Sequence, residues 1–301
     1  MLLPPMRTTI FQDFHWNLLA LSMFAGREEP MVVCARASHG TAIVPAVVRR
    51  ADSTLRLLGE ELFDYRTFLH LGDGDTLNAA LGVLAERRMP LEVTAMRECD
   101  VREPSRKLEK VPFSAAPAVL VSDVSHEDFV ARHGRLARNA RRLERLGFQL
   151  RSYDGTHSAL LRSIYHKKAA QDLSSLFRDP VRIEFLVNAA LFHPRTVEIF
   201  TLECGSRLGA ALATLRDGLE RRFYTAWFDA DLQKHSPGLT LVYLITRRSL
   251  AEGLDCDYMT GEQAYKLRLA TSSMPLYRVR ATAEQLSAGS ATPEPDVRQA
   301  A

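Results

Sequence analysis

Apolar positions cluster at 31–37 and again at 41–48, with Ser38, His39 and Gly40 between them, the pattern of two short strands joined by a tight turn. A third strand is predicted at 55–58. After Gly72, Asp73, Gly74 and Asp75, apolar residues fall at 77, 81, 84 and 85, one stripe of a helix that Asp75 is placed to cap. Residues 91–96 read as the following strand, so the first half is β-β-β-α-β. Residues 100–117 interrupt this order with Pro104, Pro112 and Pro117 among charges, the composition of a crossing segment and a domain boundary.

Beyond the boundary, Asp123 or Ser125 can cap a long helix that reaches Leu146 and stops at Gly147. Ser158 can cap a second helix running towards Gln171, and 181–191 has the pattern of a third. Strands are predicted at 197–202, 208–215 and 222–228, the first two joined by a turn around Gly205. A helix over 237–251 and a strand at 254–258 close the run. The hairpin across Gly205 repeats the one across Gly40, and the helix-to-strand step ending at Leu254 repeats the one ending at Leu91. This order predicts two related α/β domains packed side by side, 1–110 and 111–286. The Ala-, Ser-, Pro- and Glu-rich tail, 287–301, is expected to be disordered.

Composition excludes several classes. With 301 residues, 46% hydrophobic and 25% charged, the chain has the make-up of a folded protein of about two domains at roughly 150 residues each. Lys plus Arg exceed Asp plus Glu by 39 − 36 = 3, too few for a dedicated nucleic-acid or membrane-surface protein. Cys34, Cys99, Cys204 and Cys256 form no Cys-x-x-Cys pair and read as reduced core thiols, so no metal is expected. The apolar run 16–25 is too short to cross a bilayer and no signal-length apolar stretch opens the chain, which predicts a soluble cytoplasmic protein.

Two segments carry candidate chemistry. In Lys234-His235-Ser236-Pro237-Gly238, ahead of the predicted helix, Pro237 suits a first helical position, Ser236 can cap, and Gly238 allows close backbone approach. Together with the helix dipole and Lys234, this makes either an anion cradle for phosphate or pyrophosphate or an ordinary capped turn. The corresponding loop of the first half, 72–75, holds two carboxylates that would repel a phosphate, so only the second half is predicted to bind one. The segment 257–266 follows a strand end, where ligands of α/β sheets bind; Asp257, Glu262, Tyr265 and Lys266 can line a cleft there. Alternatively, Glu262 and Lys266 form an exposed i,i+4 pair on a helix.

The succession of Phe223-Tyr224, Asp229, Lys234-His235-Ser236-Pro237-Gly238, an amphipathic helix ending near Gly253, Asp257, and Gly261-Glu262 to Tyr265-Lys266 resembles the GNAT superfamily of acyl-CoA-dependent N-acyltransferases. Within it, the chain is most similar to the bacterial tandem-domain branch described as CelD-like or BioF-like acetyltransferases, related in fold to the Fem peptidoglycan aminoacyltransferases. Trp16, Pro30, Gly59 and Asp64-Tyr65 extend the resemblance into the first half, so that it covers roughly 14–270. It implies two tandem GNAT-like domains, the first degenerate, and an acetyl-CoA or other acyl-CoA co-substrate. The pyrophosphate would lie on the amides of Ser236 to Leu239 beside Lys234 and His235, and the pantetheine arm along Tyr224, Thr225, Ala226, Trp227 and Phe228. The loop departs from the usual Gln/Arg-x-x-Gly-x-Gly/Ala pattern; it contains a proline and one glycine, so acyl-CoA or another phosphorylated donor remains open.

Acyl transfer to an amine needs a base for the nucleophile's proton and donors for the developing thiolate. By residue type, Glu262 or Asp257 is the candidate base, directly or through water, and Tyr224 or Tyr265 the candidate thiolate donor. Asp64, Tyr65, Asp229 and Lys266 are candidate contacts to a small-molecule or envelope-related amine; Asp229 can instead cap the turn before the phosphate loop. Arg132, Arg135, Arg138, Arg141, Arg142 and Arg145 lie on one predicted helix and read as a solvated face rather than a tRNA grip. The alternatives are a tRNA-dependent Fem-like aminoacyltransferase and a non-catalytic accessory protein of polysaccharide or envelope synthesis.

Overall fold

The computed structural model describes residues 8–59, 61–72, 74–101, 108–288 and 296–300. The chain divides into two compact units, one formed by Met1–Ser114 with Pro275–Ala301, the other by Ala115–Met274. The units thus divide between Ser114 and Ala115, and the chain from Pro275 onward returns to the first.

In the first unit, the Asp13 carboxylate accepts the amides of His15 and Trp16 and starts the helix Phe14–Phe24, which buries Trp16, Ala20 and Phe24. The hairpin pairs Glu28–Ala37 with Gly40–Arg49. The strand Leu69–Gly72, absent from the sequence reading, adds to the start of the second hairpin strand. Gly72 has φ +103°, and a Cβ there would sit 2.2 Å from the His39 carbonyl oxygen, so this approach requires glycine. Thr54–Leu57 continues the sheet antiparallel to the hairpin and then parallel to Leu91–Arg97. The helix Gly74–Ala85 buries Leu77, Leu81 and Leu84 as its spacing predicts; Asp75 lies inside its first turn rather than capping it. Asp73 lies outside the described residues. The expected tail follows the helix Ala283–Ser287 and contains the strand Asp296–Ala300, which pairs with Glu28–Ala37.

In the second unit, the last residues of Glu109–Val119 pair antiparallel with Asp255–Asp257, followed in order by Glu220–Phe228, Arg207–Asp217, Val197–Cys204 and Gln149–Asp154. A strand thus occupies part of the proline-bearing segment expected only to cross between halves; Pro104 lies outside the described residues. The predicted long helix is two, His126–Arg132 and Gly134–Arg145, broken at His133. Ser125 is the residue that caps the first. Ser158 is not a cap but the first residue of Ser158–Gln171. Pro180–Phe192 is capped by Asp179, and Pro237–Ala251 follows the strand Glu220–Phe228. Each unit therefore runs hairpin, third antiparallel strand, helix, parallel strand, with Leu69–Gly72 as an added strand before the helix of the first unit. Of the four free thiols only Cys256 is buried; Cys34 and Cys204 are half-buried and Cys99 is exposed, which corrects their reading as core residues.

Candidate active site

Glu220–Phe228 is antiparallel to Arg207–Asp217 on one side and parallel to Asp255–Asp257 on the other. The parallel register consists of three pairs, Glu220 with Asp255, Arg221 with Cys256 and Arg222 with Asp257. On the antiparallel side the register slips between Phe223 and Thr225, leaving Tyr224 as a bulge. A bulge bends its strand and raises the local twist. The longer strand therefore runs on past its last parallel partner and bends, which opens the sheet at the strands' carboxyl ends, where α/β sheets bind ligands.

A buried ion cluster holds this fork. The Arg222 guanidinium donates to Asp257 and to Asp217 (3.3 Å) and also pairs with Glu220. Burial pushes the Glu220 carboxyl up, although Arg222 opposes the shift. The second Asp257 oxygen accepts the Met259 amide at 2.7 Å, while Lys266 Nζ donates to the carbonyls of Met259 (3.1 Å) and Thr260 (2.8 Å). The loop after the strand is further tied by Tyr258 N–H to Pro117 and Gly261 N–H to Ala115. Asp257 and Lys266, 7% and 6% exposed, are thus clamps on the loop, not an open base and a substrate contact. Glu262, beyond Gly261, is exposed and makes no hydrogen bond or ion pair among the described residues. The helix Ala264–Leu269 starts after it, so the alternative Glu262–Lys266 pair does not form. Tyr265 lies in the first turn of that helix at 38% exposure, with burial around its phenol pushing the hydroxyl up. Tyr224 is half-buried on the bulge.

The loop on the other arm begins with Asp229. Its carboxylate accepts from Arg207 Nη2 at 2.7 Å and Nε at 3.0 Å and caps the Asp231 amide, and the Arg207 hydrogen bonds hold it below the usual carboxylate range. The capping alternative describes Asp229 better than substrate contact does. A short 3₁₀ helix, Ala230–His235, buries Leu232 and leads to Ser236 in the left-handed region (φ +49°, ψ +52°). The helix Pro237–Ala251 then starts with Pro237, with no acidic residue in its first turn and no side-chain cap. The Ser236 hydroxyl therefore does not cap, contrary to the expectation, and the first-turn amides of Gly238 and Leu239 receive no side-chain acceptor. A Cβ on Gly238 would meet Phe228 Cδ1 at 3.0 Å, so this glycine first serves packing of the helix start on the strand end.

Positive charge collects here. Lys234 is exposed and His235 half-buried; burial, Lys234 and Arg142 together hold the His235 imidazole below its ordinary value. Arg142 belongs to Gly134–Arg145, whose Leu136 and Leu143 are buried while all its arginines are exposed. The solvated-face reading is correct for the run, yet it overlooked that Arg142, next to buried Leu143, acts on the His235 loop. His235 Nδ1 and the Thr225 hydroxyl are buried without a hydrogen-bond partner among the described residues, two unspent polar atoms close to this fork. Trp227 lies under Lys167 Nζ (5.1 Å) at a cleft of about 600 Å³ that Arg207 and Asp229 also line. Ala226, Phe228 and Leu239 are half-buried and pack against the core.

The two candidates from the first unit fare differently. Tyr65 is fully buried at φ +59°, its ring 6.0 Å from the Arg97 guanidinium, and is a core residue rather than a substrate contact. Asp64 is half-buried.

The sequence profile of the acetyltransferase (GNAT) domain matches residues 131–267, which include both loops and the fork. This part of the chain matches a GNAT acetyltransferase domain. No curated protein sequence matches the chain. Among solved structures, the chain is similar to a conserved protein of unknown function from Bacteroides thetaiotaomicron (TM-score 0.61, 9% identity, 90% of this chain and 92% of that one). It is also similar to the C-terminal domain of a putative lysylphosphatidylglycerol synthetase from Agrobacterium fabrum (0.57, 9%, 91% and 93%) and to FemX (0.57, 10%, 89% and 91%). At these identities the likeness is one of fold. Among the described residues, no helix of the GNAT domain or of the first unit is long and apolar enough to cross a membrane.

Proposed function

We propose that the chain is a cytoplasmic acyl-CoA-dependent N-acyltransferase whose GNAT domain moves an acyl group from a CoA thioester to an amine within a ternary complex. The observation that carries this reading is the junction of the forked strands with an uncapped, acid-free helix start. Backbone amides of Gly238 and Leu239, the helix dipole, Lys234, His235 and Arg142 favour a pyrophosphate there. The bulged strand 224–228 provides an extended edge for the pantetheine arm, with Thr225 offering a hydroxyl that lacks a partner among the described residues. Attack of the amine on the thioester carbonyl expels thiolate. Glu262, exposed and unpaired among the described residues, takes the amine's proton directly or through water, and Tyr224 or Tyr265 donates to the thiolate. The first unit, with its matching element order, is read as a second, degenerate GNAT-like domain.

A second reading, an aminoacyl-tRNA donor, draws on the exposed arginines of Gly134–Arg145 and the likeness to FemX. Thermal melting with CoA, acetyl-CoA and a long-chain acyl-CoA separates the two. A ligand at about 100 times its dissociation constant adds roughly 2.7 kcal/mol, so an upward shift with a CoA series supports the acyl-CoA donor. No shift with any of them, together with a tRNA gel shift at physiological salt, would replace it with the second reading; no shift with either leaves a non-catalytic accessory role. Turnover unaffected by Glu262→Gln would remove Glu262 as the base.

A further inference from the structure

The first unit contains a cavity of about 290 Å³ whose lining is almost entirely apolar, including Phe11, Leu21, Leu57 and Phe63. That volume lies at the small end of ligand sites. Its rim carries apolar side chains in water: Phe14 is 70% exposed, Leu18 51% and Ile43 39%. Polar residues also reach the lining, but most are spent. Gln12 donates to the Tyr65 carbonyl, Asn17 to the carbonyls of Phe11 and Asp13, and Thr67 to that of Phe68.

Arg66 differs. It is 9% exposed, and of its five donor hydrogens the one hydrogen bond is from Nη1 to Thr94 Oγ1 at 2.6 Å. Its Nε is buried without a partner, and among the described residues it makes no ion pair. Asp64, Glu28 and Glu61 act on it through space without a hydrogen bond, and with Glu28, Glu61, Glu92 and Thr94 it also lines a polar recess of about 20 Å³ beside the cavity. A buried guanidinium so poorly matched is costly, and a carboxylate that accepts its free donors would offset that cost. An apolar cavity with an apolar rim and one unspent buried cation matches a ligand with one hydrocarbon chain and one anionic end.

We propose that this cavity binds a single-chain fatty carboxylate, its chain among Phe11, Leu21, Leu57 and Phe63 and its head on Arg66. The claim is independent of the acyl-CoA reading, because no residue of the GNAT domain takes part. Calorimetry of the full chain with decanoate, decanol and decylamine below their micelle concentrations tests it. Decanoate is expected to saturate at one per chain, at least tenfold tighter than decanol, with no saturable binding of decylamine. Arg66→Gln should remove the preference for decanoate over decanol. Leu21→Trp, which fills the cavity from a half-buried wall, should abolish binding of both and keeps the test open if Arg66→Gln does not fold. Absence of saturable decanoate binding would overturn the proposal, including where the protein sediments with anionic vesicles. So would equal affinity for decanoate and decylamine, or decanoate binding unchanged in Leu21→Trp.

Discussion

Two helices occupy the same step in two matching runs of hairpin, strand, helix and parallel strand, and their starts are electrostatic opposites. Gly74–Ala85 carries Asp75 in its first turn, where a carboxylate satisfies the helix dipole internally. Pro237–Ala251 has no acid in its first turn, no side-chain cap, and Lys234, His235 and Arg142 close by. The strands that follow the two hairpins differ as well. Thr54–Leu57 has four residues and one parallel pair with Leu91–Arg97, whereas Glu220–Phe228 has nine residues and a bulge at Tyr224 beyond its parallel pairs. One order of elements thus gives a self-satisfied helix end in one unit and an anion-receptive one in the other. The difference rests on a handful of side chains.

The comparison can be broken most severely at the fork. Asp257→Ala should cost about 3–5 kcal/mol, because it leaves the buried Arg222 short of a partner and frees the Met259 amide; a fall in the urea midpoint checks this, and an unchanged midpoint would deny the clamp. Ser236→Asp transplants the acidic start of the first unit onto the second. It should weaken CoA by about tenfold, 1.4 kcal/mol, while leaving the melting temperature equal or higher, since an acid near a helix start is stabilising. Equal CoA affinity in calorimetry would show that this helix end binds no phosphate.

A smaller effect comes from pH. The free-state His235 imidazole lies below its ordinary value because of burial, Lys234 and Arg142. A bound pyrophosphate raises that pKa, so binding takes up protons: CoA affinity should rise as pH falls towards the depressed value and decline as pH rises through the range between the free and bound values. His235→Gln should flatten the profile measured by calorimetry. Smallest of all, Arg207→Ala removes a 49%-exposed partner of Asp229 and should shift stability by only about 0.2–1 kcal/mol in urea unfolding.

Much of the fold was legible because it depends on local patterns. The apolar clusters at 31–37 and 41–48, the stripe at 77, 81 and 84, and Pro237 at a helix start each report a neighbourhood of a few residues, and the order of those elements was enough to suggest the resemblance that the GNAT domain match bears out. The strand Leu69–Gly72 and the final strand Asp296–Ala300 were not legible, since each exists by pairing with residues far away in the chain. The break at His133 escaped for a related reason: a helical pattern runs through it, but the His133 ring instead packs at a tilt against Phe129 and meets Tyr243 of another helix edge-on.

Within the site, residue type alone left Asp257 and Glu262 as alternative bases and Lys266 as a candidate substrate contact. Tertiary structure separated them by burying Asp257 against Arg222 and Lys266 against two carbonyls while leaving Glu262 in water. By itself, the sequence determined the strands and helices whose pattern is local and where charge near a helix start is positive, because these follow from spacing and residue chemistry. Only the tertiary structure decided which charged groups remain available, because a charge is spent or free according to the partners that distant parts of the chain bring within hydrogen-bonding reach.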